Sequence, residues 1–354
     1  MKPYKIAVLP GDGIGPEVMN EAIKVLDATS KKYKVKFEYC YADVGGIAYD
    51  NHKDTLPKET IKICESSDAI LFGSVGGPKW DNLPREASVE KGLLNLRKHF
   101  DFFANLRPAI VYKTLRKISP LREDIVKGGF DMLIIRELTS DAYFGKKATG
   151  EDFASDEMIY RRHEVERIAK VAFEMALKRK KKVTCVDKSN VLASSVFFRK
   201  IVAETAKKYP EIALDYLYVD NAAAKIIKRP YEIDVIVTTN LFGDILSDEA
   251  AGASGSIGML ASASLNEKGF GMYEPGGGSV PKLTGQNKAN PIAQILSAAM
   301  MLKYSFKMEK AADDIENAVK SVLEAKKRTY DIMEEGAEEV GTKEMGDLIA
   351  DGIK

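Results

Sequence analysis

The sequence predicts an α/β protein with an at least partly parallel sheet, divided into two lobes. Short apolar runs rich in β-branched residues alternate with longer helical patterns along most of the chain, which is the order expected of α/β folds. At 354 residues the chain exceeds what one hydrophobic core usually holds, so two lobes are expected. Glycine-rich stretches at 252–258 and 271–285 are too long and irregular for simple turns, which makes them candidate functional loops.

The predicted elements follow from the periodicity of apolar residues. Apolar runs bounded by polar or turn-forming residues predict strands at 6–9, 35–41, 69–72, 102–106, 132–135, 183–186, 214–219 and 235–238. Apolar residues that recur every three or four positions predict helices at 17–30, 58–64, 164–178, 192–208, 291–304 and 311–326.

Composition and charge argue against several classes of protein. The formal net charge is +1, and no basic run is interleaved with aromatic residues, so no nucleic-acid partner is expected. No apolar run reaches the length of a membrane span, and no signal peptide precedes the first predicted strand. The three cysteines are far apart in apolar contexts, which favours small buried side chains over disulfides. We therefore expect a cytoplasmic protein without a membrane partner.

One segment, from Asn240 to Asp248, carries two carboxylates at a spacing with chemical meaning. Asp244 and Asp248 lie four residues apart at the predicted start of a helix, so both face the same side. Like charges at this spacing repel unless a cation lies between them, and oxygen ligands suit Mg²⁺ or Mn²⁺. Acidic residues are also common at helix starts, because the helix dipole favours them. The motif alone leaves both interpretations open.

Other candidate residues lie beside predicted strands. Arg97, Arg107 and Arg136 are either surface ion-pair partners or a bidentate clamp for a polycarboxylate. Lys188 and Asp220 follow two strands, at the edge where open α/β sheets bind ligands. Lys188 is accordingly either a proton acceptor or an ordinary surface lysine.

Six separated motifs follow one another along nearly the whole chain. They are Leu9-Pro-Gly-Asp-Gly-Ile-Gly-Pro-Glu17, Gly73-Ser-Val-Gly-Gly-Pro-Lys-Trp80, Phe103-Ala-Asn-Leu-Arg-Pro108, Val186-Asp-Lys-Ser-Asn-Val191, Asn240-Leu-Phe-Gly-Asp-Ile-Leu-Ser-Asp248 and Glu274-Pro. Each is weak alone, but together and in this order they closely resemble the metal-dependent β-decarboxylating dehydrogenases, the isocitrate/isopropylmalate dehydrogenase family.

The resemblance implies a two-lobed fold with a mixed sheet, not a standard Rossmann fold. Residues 1–100 with 253–354 would form a cofactor-side lobe. Residues 101–252 would form a central lobe that builds the dimer interface and part of the substrate and metal site. The glycines at 11–15 agree with this, because their spacing is not that of a dinucleotide fingerprint. The resemblance instead implies these cofactor contacts: Ser256, Gly258, Ser262, Glu274, Gly277, Gly278, Ser279, Lys282, Leu283 and Asn290.

The resemblance also implies roles at the reaction centre. The clamp for the malate carboxylates would consist of Arg97, Arg107 and Arg136. The ligands of Mg²⁺ or Mn²⁺ would be Asp220, Asp244 and Asp248. Lys188, acting with Asp220 on the bound substrate, would take the proton of the C2 hydroxyl, and Tyr143 would protonate the enol after carbon dioxide leaves. Lys188 and Asp220 would come from the partner subunit, so the active unit would be a homodimer with shared sites.

The helix before Arg97 bears on the choice of small-molecule substrate. Isocitrate enzymes present hydroxyl and amide side chains there to a carboxylate, whereas this chain has Leu93 and Leu94. Two leucines would leave a carboxylate unpaired and would suit an isopropyl group. Alternatively they are core positions of an amphipathic helix.

The resemblance thus implies oxidative decarboxylation of 3-isopropylmalate to 4-methyl-2-oxopentanoate with reduction of NAD(P), a step of leucine biosynthesis. Two alternatives stay open: action on another 2-hydroxy-3-carboxylate, such as methylmalate or isocitrate, and a homologue that binds without turnover.

Two places depart from the family pattern. Ser140 and Asp141 replace a Gly-Gly pair before Tyr143, which removes backbone freedom and adds a charge near the site. Lys282 stands where NAD-using members carry an aspartate that accepts hydrogen bonds from the ribose, and its charge would favour the 2′-phosphate of NADP. Leu283, however, replaces the tyrosine of NADP-using members. The metabolic class favours NAD, with NADP as the alternative because of Lys282.

Overall fold

The computed structural model describes residues 3–84 and 87–353, in which strands and helices alternate as predicted. The strands are β1 (Tyr4–Gly11), β2 (Phe37–Tyr41), β3 (Ala69–Ser74), β4 (Ala104–Val111), β5 (Phe130–Glu137), β6 (Lys147–Thr149), β7 (Ala154–Asp156), β8 (Lys182–Asp187), β9 (Ala213–Tyr218), β10 (Val235–Thr238), β11 (Ala261–Leu265), β12 (Gly271–Pro275), β13 (Lys327–Arg328) and β14 (Glu338–Glu339). The α-helices are α1 (Gly15–Tyr33), α2 (Gly46–His52), α3 (Lys58–Glu65), α4 (Val89–His99), α5 (Glu123–Val126), α6 (Arg162–Leu177), α7 (Ala193–Ala206), α8 (Val219–Lys228), α9 (Asn240–Ser254), α10 (Ile292–Tyr304), α11 (Glu309–Glu324) and α12 (Thr342–Asp351).

The chain divides into two compact units. Unit 1 consists of Met1–Phe100 and Ser256–Lys354, and unit 2 consists of Asp101–Gly255. In unit 1 the strand order is β2-β1-β3-β12-β11. The neighbours are parallel except β12 and β11, which are antiparallel. Helix α10 packs in this unit with no solvent-facing side over its first three turns, because every residue from Ile292 to Leu302 is buried.

Unit 2 has the strand order β4-β5-β10-β8-β9, again a mixed arrangement. Strands β4 and β5 are antiparallel, and the other neighbours are parallel. Its core is a cluster of buried apolar side chains from the sheet and from α8 and α9, among them Ile134, Ile226, Ile236 and Leu246. The carboxyl ends of β5, β8, β9 and β10 lie at one edge of this sheet, so the residues that follow them are gathered there.

The glycine-rich segments are more regular than predicted. Residues 271–275 form strand β12, which pairs with β11, and Gly252 lies inside helix α9. The prediction of an irregular loop from 271 onward was therefore wrong for its first five residues. The partner strand β11, Ala-Ser-Ala-Ser-Leu, consists mainly of small residues and lacks the β-branched side chains that make a strand visible in a sequence. None of the helices in the described part of the chain is long and apolar enough to cross a membrane.

Candidate active site

Helix α9 begins two residues after β10 and carries Asp244 and Asp248 on one side, as the spacing predicts. Their side chains are 36% and 57% exposed. Burial raises the pKa of Asp248; Arg107 opposes the rise and the charge of Asp244 adds to it. Two carboxylates that destabilise each other's charge on one helix face fit the oxygen donor set of a hard divalent cation.

Two buried arginines from adjacent strands meet these carboxylates. Arg107 of β4 donates from Nη1 to Ser247 Oγ at 2.7 Å, and the same nitrogen lies 3.4 Å from Oδ1 of both aspartates. Arg136 of β5 donates from Nη1 to Asp244 Oδ1, while its Nε and Nη2 donate to Asn240 Oδ1 at 2.9 and 2.7 Å. Unit 2 thus brings two of the three predicted clamp arginines together with two of the three predicted metal ligands.

Tyr143 belongs to the same cluster. Its hydroxyl donates to Asp244 Oδ2 at 2.6 Å, and the Arg136 guanidinium lies 5.3 Å from its ring centroid. Burial and the hydrogen bond to Asp244 raise the pKa of Tyr143, and Arg136 opposes the rise. The phenol therefore keeps its proton at neutral pH, as a proton donor must.

Asp141, one of the two departures before Tyr143, does not face the carboxylate cluster as a free charge. Asp141 is fully buried, and its φ of 75° lies in the left-handed region, which explains why glycine occupies this position in the family pattern. Its Oδ2 accepts hydrogen bonds from the Tyr160 hydroxyl at 2.8 Å and from the Leu241 amide at 3.1 Å. The expected extra charge is thus directed at the first turn of α9.

Lys188 and Asp220 pair with each other in unit 2, with Lys188 Nζ 2.6 Å from Asp220 Oδ1. The hydrogen bond from Lys188 lowers the pKa of Asp220. The residue before the lysine, Asp187, is fully buried and accepts from Arg199 Nε and Nη2 at 2.7 and 2.9 Å. Asp187 was missed by sequence reasoning, although a charged residue that ends a buried apolar strand is a usable signal.

The third predicted metal ligand lies at a distance within the chain. Strand β9, which precedes Asp220, is two strands away from β10, which precedes α9, or roughly 10 Å at the usual strand spacing. In the described residues no group of three or more His, Cys, Asp or Glu side chains could hold a metal ion. Within one chain, Asp244 and Asp248 thus do not form a three-residue ligand group with Asp220.

Unit 1 contains the other predicted substrate residues. On α4, Leu96 is fully buried, whereas Leu93 and Leu94 are only half-buried. The two leucines are thus less buried than Leu96, and their contact with the substrate stays a prediction from the sequence. Arg97 donates from Nη2 to Glu274 Oε1 at 2.8 Å, with both side chains less than a tenth exposed. The structure thus pairs Glu274, predicted to contact the cofactor, with a predicted substrate residue.

A cavity in unit 1 is lined by apolar side chains from α1, α10 and the segment after β12. It brings together six of the ten predicted cofactor residues, Ser256, Gly258, Gly277, Gly278, Leu283 and Asn290. Asp331, which sequence reasoning missed, also lines it and accepts from Ser256 Oγ at 2.5 Å and Asn290 Nδ2 at 3.0 Å. Lys282 is exposed next to the cavity-lining Leu283, Ser279 is buried, and Ser262 is buried within β11.

The glycine turn after β1 packs against the segment that follows β12. The Asp12 carboxylate accepts hydrogen bonds from the amides of Gly46, Ile47 and Gly76 at 2.7 to 2.8 Å, which ties the turn to the segments after β2 and β3. At Gly13, φ is 60° and an added Cβ would lie 2.0 Å from the Ser279 carbonyl oxygen. The turn is thus packed against the segment that follows β12.

Comparison with known proteins identifies the family of the chain. The family model described as isocitrate/isopropylmalate dehydrogenase matches residues 5–349. A protein of Campylobacter jejuni named 3-isopropylmalate dehydrogenase is 56% identical over 100% of this chain and 99% of its own. The Clostridium acetobutylicum protein of the same name is 55% identical over 99% of both chains.

Solved structures give the same result at lower identity. The isocitrate dehydrogenase of Methylococcus capsulatus superposes with a TM-score of 0.88 at 32% identity, covering 99% of both chains. A β-decarboxylating dehydrogenase of Thermococcus kodakarensis, in its apo form, gives 0.80 at 34% identity over 99% of this chain and 96% of its own. The predicted fold is confirmed, and the chain belongs to the isocitrate/isopropylmalate dehydrogenase family.

Proposed function

We infer that this protein catalyses the oxidative decarboxylation of 3-isopropylmalate to 4-methyl-2-oxopentanoate in leucine biosynthesis. The observation that carries this inference is the convergence of Arg107, Arg136 and Tyr143 on the carboxylates of α9. It occurs in a chain that matches relatives named 3-isopropylmalate dehydrogenase over their full length. Neither action on another 2-hydroxy-3-carboxylate nor binding without turnover is favoured.

The substrate residues follow from charge and shape. Arg107 and Arg136 are buried cations whose donors point toward Asp244, so a malate carboxylate placed there would form charge-assisted hydrogen bonds. Leu93 and Leu94, half-buried on α4, supply an apolar surface for an isopropyl group. A carboxylate held against them would lose hydration without gaining a partner, at a cost of several kcal/mol. The role of Arg97 toward the substrate stays a prediction from the sequence.

Dehydrogenases of this family generally use NAD and a divalent metal ion. Asp244 and Asp248, with Asp220, would hold Mg²⁺ or Mn²⁺, and the ion would act as a Lewis acid toward the C2 oxygen. The nicotinamide would accept the C2 hydride. The unit 1 cavity, with Asn290 and Asp331 as polar side chains in its wall, would hold the dinucleotide, and Lys282 keeps NADP as the alternative.

We propose that two side chains transfer protons in the reaction, Lys188 as the base and Tyr143 as the acid. Lys188 Nζ would take the proton of the C2 hydroxyl while hydride leaves C2. After carbon dioxide departs, the Tyr143 hydroxyl would donate its proton to C3 of the enol. The raised pKa of Tyr143 supports this role, because the phenol is still protonated at neutral pH.

We also propose that the active form is a homodimer in the cytoplasm, with each site shared between subunits. The strand order within one chain supports sharing, because Asp220 follows β9, two strands from β10, and forms no ligand group with Asp244 and Asp248 among the described residues. Lys188, paired with Asp220, would be supplied together with it.

The decisive experiment is a steady-state assay with 3-isopropylmalate, methylmalate and isocitrate, each with NAD and with NADP, in the presence of Mg²⁺ or Mn²⁺. We expect the highest kcat/KM with 3-isopropylmalate and NAD. A higher kcat/KM with either competing substrate would contradict the substrate assignment. No turnover with any substrate, in protein that still binds metal and nucleotide, would show a binding-only homologue.

A further inference from the structure

The loop before Tyr143 and the first turn of α9 are joined by a closed set of hydrogen bonds. The α9 helix lacks a cap of its own, since the N-cap residue Thr239 makes no side-chain capping bond. Its first two amides are satisfied from elsewhere: the Asn240 amide donates to the Tyr160 hydroxyl at 2.8 Å, and the Leu241 amide donates to Asp141 Oδ2 at 3.1 Å. The Tyr160 hydroxyl in turn donates to the same Asp141 oxygen at 2.8 Å.

Further hydrogen bonds connect α9 to the loop before Tyr143 through Asn240 and Asp244. The Asn240 side chain donates to the Ser140 carbonyl at 3.1 Å and accepts from Arg136, which also donates to Asp244. Asp244 accepts from the Tyr143 hydroxyl at 2.6 Å. The backbone carbonyl of Asp141 accepts from Phe144 and Gly145, which closes the turn that carries Tyr143.

We propose that Asp141 is a positioning residue for the decarboxylation site: it ties the Tyr143 loop to the first turn of α9 and so sets the Tyr143 hydroxyl against Asp244. This proposal rests on the proposed function for its catalytic consequence. Three features of Asp141 support it: complete burial, a left-handed backbone that an aspartate adopts at a cost, and a carboxylate at the positive end of the α9 dipole. A negative charge buried beside those amides stabilises the contact between the two segments.

Tyr143 acts after hydride transfer, so its displacement should slow the later step only. In Asp141→Gly, which removes the carboxylate and restores only the second glycine of the family pattern, we expect kcat to fall roughly tenfold to a hundredfold, because small misplacements of a reacting group have effects of this size. The rate of NADH formation in the first turnover should stay within about twofold of wild type, so a burst should appear. Asp141→Asn should retain more activity, since its Oδ1 can still accept from the Leu241 amide.

Tyr160→Phe removes the same link from the other side. It should reproduce the Asp141→Gly effect, and the double variant should be no worse than either single variant. Asp234→Asn is the matched control: Asp234 is also a buried carboxylate of unit 2, but it accepts from Arg179 at the opposite end of β10. This control should lower thermal stability without producing a burst.

Hydrogen–deuterium exchange, measured without substrate, separates this proposal from the proposed function. Asp141→Gly should speed exchange in both 140–145 and 240–248. Unchanged exchange in 240–248 would overturn the proposal whether or not the wild type turns over. In active protein, a parallel fall of first-turnover and steady-state rates, or no fall in either, would also overturn it. If only the proposed function failed, the wild type would be inactive while the exchange result still held.

Discussion

Lys188 is paired with the carboxylate of Asp220, and this contact bears on its proposed task. A base needs a free lone pair on its nitrogen, whereas Lys188 Nζ donates a hydrogen bond to Asp220 Oδ1 at 2.6 Å. The base role therefore requires that Lys188 Nζ leaves this hydrogen bond and meets the C2 hydroxyl. Both side chains are partly accessible, which permits this change of partner: Lys188 is 28% exposed and Asp220 is 60% exposed.

Replacing Lys188 tests this role directly. In Lys188→Ala we expect kcat to fall at least about a hundredfold, because general-base catalysis contributes on that scale. The melting temperature should hardly change, since exposed ion pairs contribute about 0–1 kcal/mol. The matched control is Lys170→Ala, which removes a surface lysine paired with Glu174 on α6. A near-normal kcat in Lys188→Ala would refute the assignment of the base.

Lys282 is the single residue whose charge we expect to affect the preference for NAD over NADP. The side chain is exposed beside the cavity-lining Leu283, so its charge is free to meet a ribose phosphate. In Lys282→Asp we expect the ratio of kcat/KM for NAD over NADP to rise about tenfold or more, because a carboxylate accepts from ribose hydroxyls and repels phosphate. Lys288→Asp, an exposed lysine six residues further on, is the control. An unchanged ratio would show that position 282 does not contact the ribose.

At the scale of elements, helix α9 carries the proposed metal ligands and the partners of Arg107 on one face. Asp244, Ser247 and Asp248 recur at spacings of three and four, which places all three toward Arg107. Arg107 and Arg136 both contact Asp244. A cation bound to Asp244 would therefore change the hydrogen-bond partners of both arginines.

Metal binding by α9 can be measured without turnover. Mn²⁺ should raise the melting temperature of the wild type, because a ligand that binds only the folded state stabilises it. Asp248→Asn should remove most of this shift, with little change in the melting temperature of the metal-free protein. Glu249→Gln is the control on the neighbouring face of the helix. A full Mn²⁺ shift in Asp248→Asn would exclude Asp248 as a ligand.

The end of β5 holds a buried acid with a consequence for stability. Burial raises the pKa of Glu137 to about 7, against the opposing hydrogen bonds from Thr139 and Ser140 and the charge of Arg167. Between the ordinary pKa of 4.5 and about 7, the folded chain keeps a proton that the unfolded chain releases. Stability should therefore fall as pH rises through this window, by an amount on the order of 3 kcal/mol.

Urea unfolding midpoints at pH 5, 6, 7 and 8 would measure this fall. Glu137→Gln should flatten the slope, because the glutamine does not titrate. Glu166→Gln, which changes an exposed acid on α6, should leave the slope as in the wild type. Equal slopes in wild type and Glu137→Gln would show that Glu137 is ionised throughout the range.

At the scale of the whole molecule, active sites shared between two subunits predict how dimers of two different variants behave. Lys188→Ala and Asp244→Asn dimers should each be inactive. A mixed dimer would contain one site with both changes and one site with neither. Random pairing should then restore about one quarter of the wild-type activity. Co-expressed or exchanged variants, assayed with 3-isopropylmalate and NAD, provide the measurement. No recovery in verified mixed dimers would show that each chain completes its own site.

Local patterns in the sequence were sufficient for the fold class, for most core strands and for the shared face of Asp244 and Asp248. The reason is that apolar periodicity and carboxylate spacing depend on neighbours within one or two turns. Strand β11 escaped detection because its small side chains carry little of that signal. Family resemblance then identified the candidate residues, without showing which of them meet.

Only the tertiary structure decided the partners. Arg97 pairs with Glu274, 177 residues away, and Arg107 meets Asp244 across 137 residues. Strand order brings such residues together, and no local pattern encodes strand order. The same holds for Asp141, which reads in the sequence as an added charge near Tyr143. In the folded chain its carboxylate is buried against the first turn of α9, because the helix supplies unpaired amides there and the left-handed loop turns the side chain toward them.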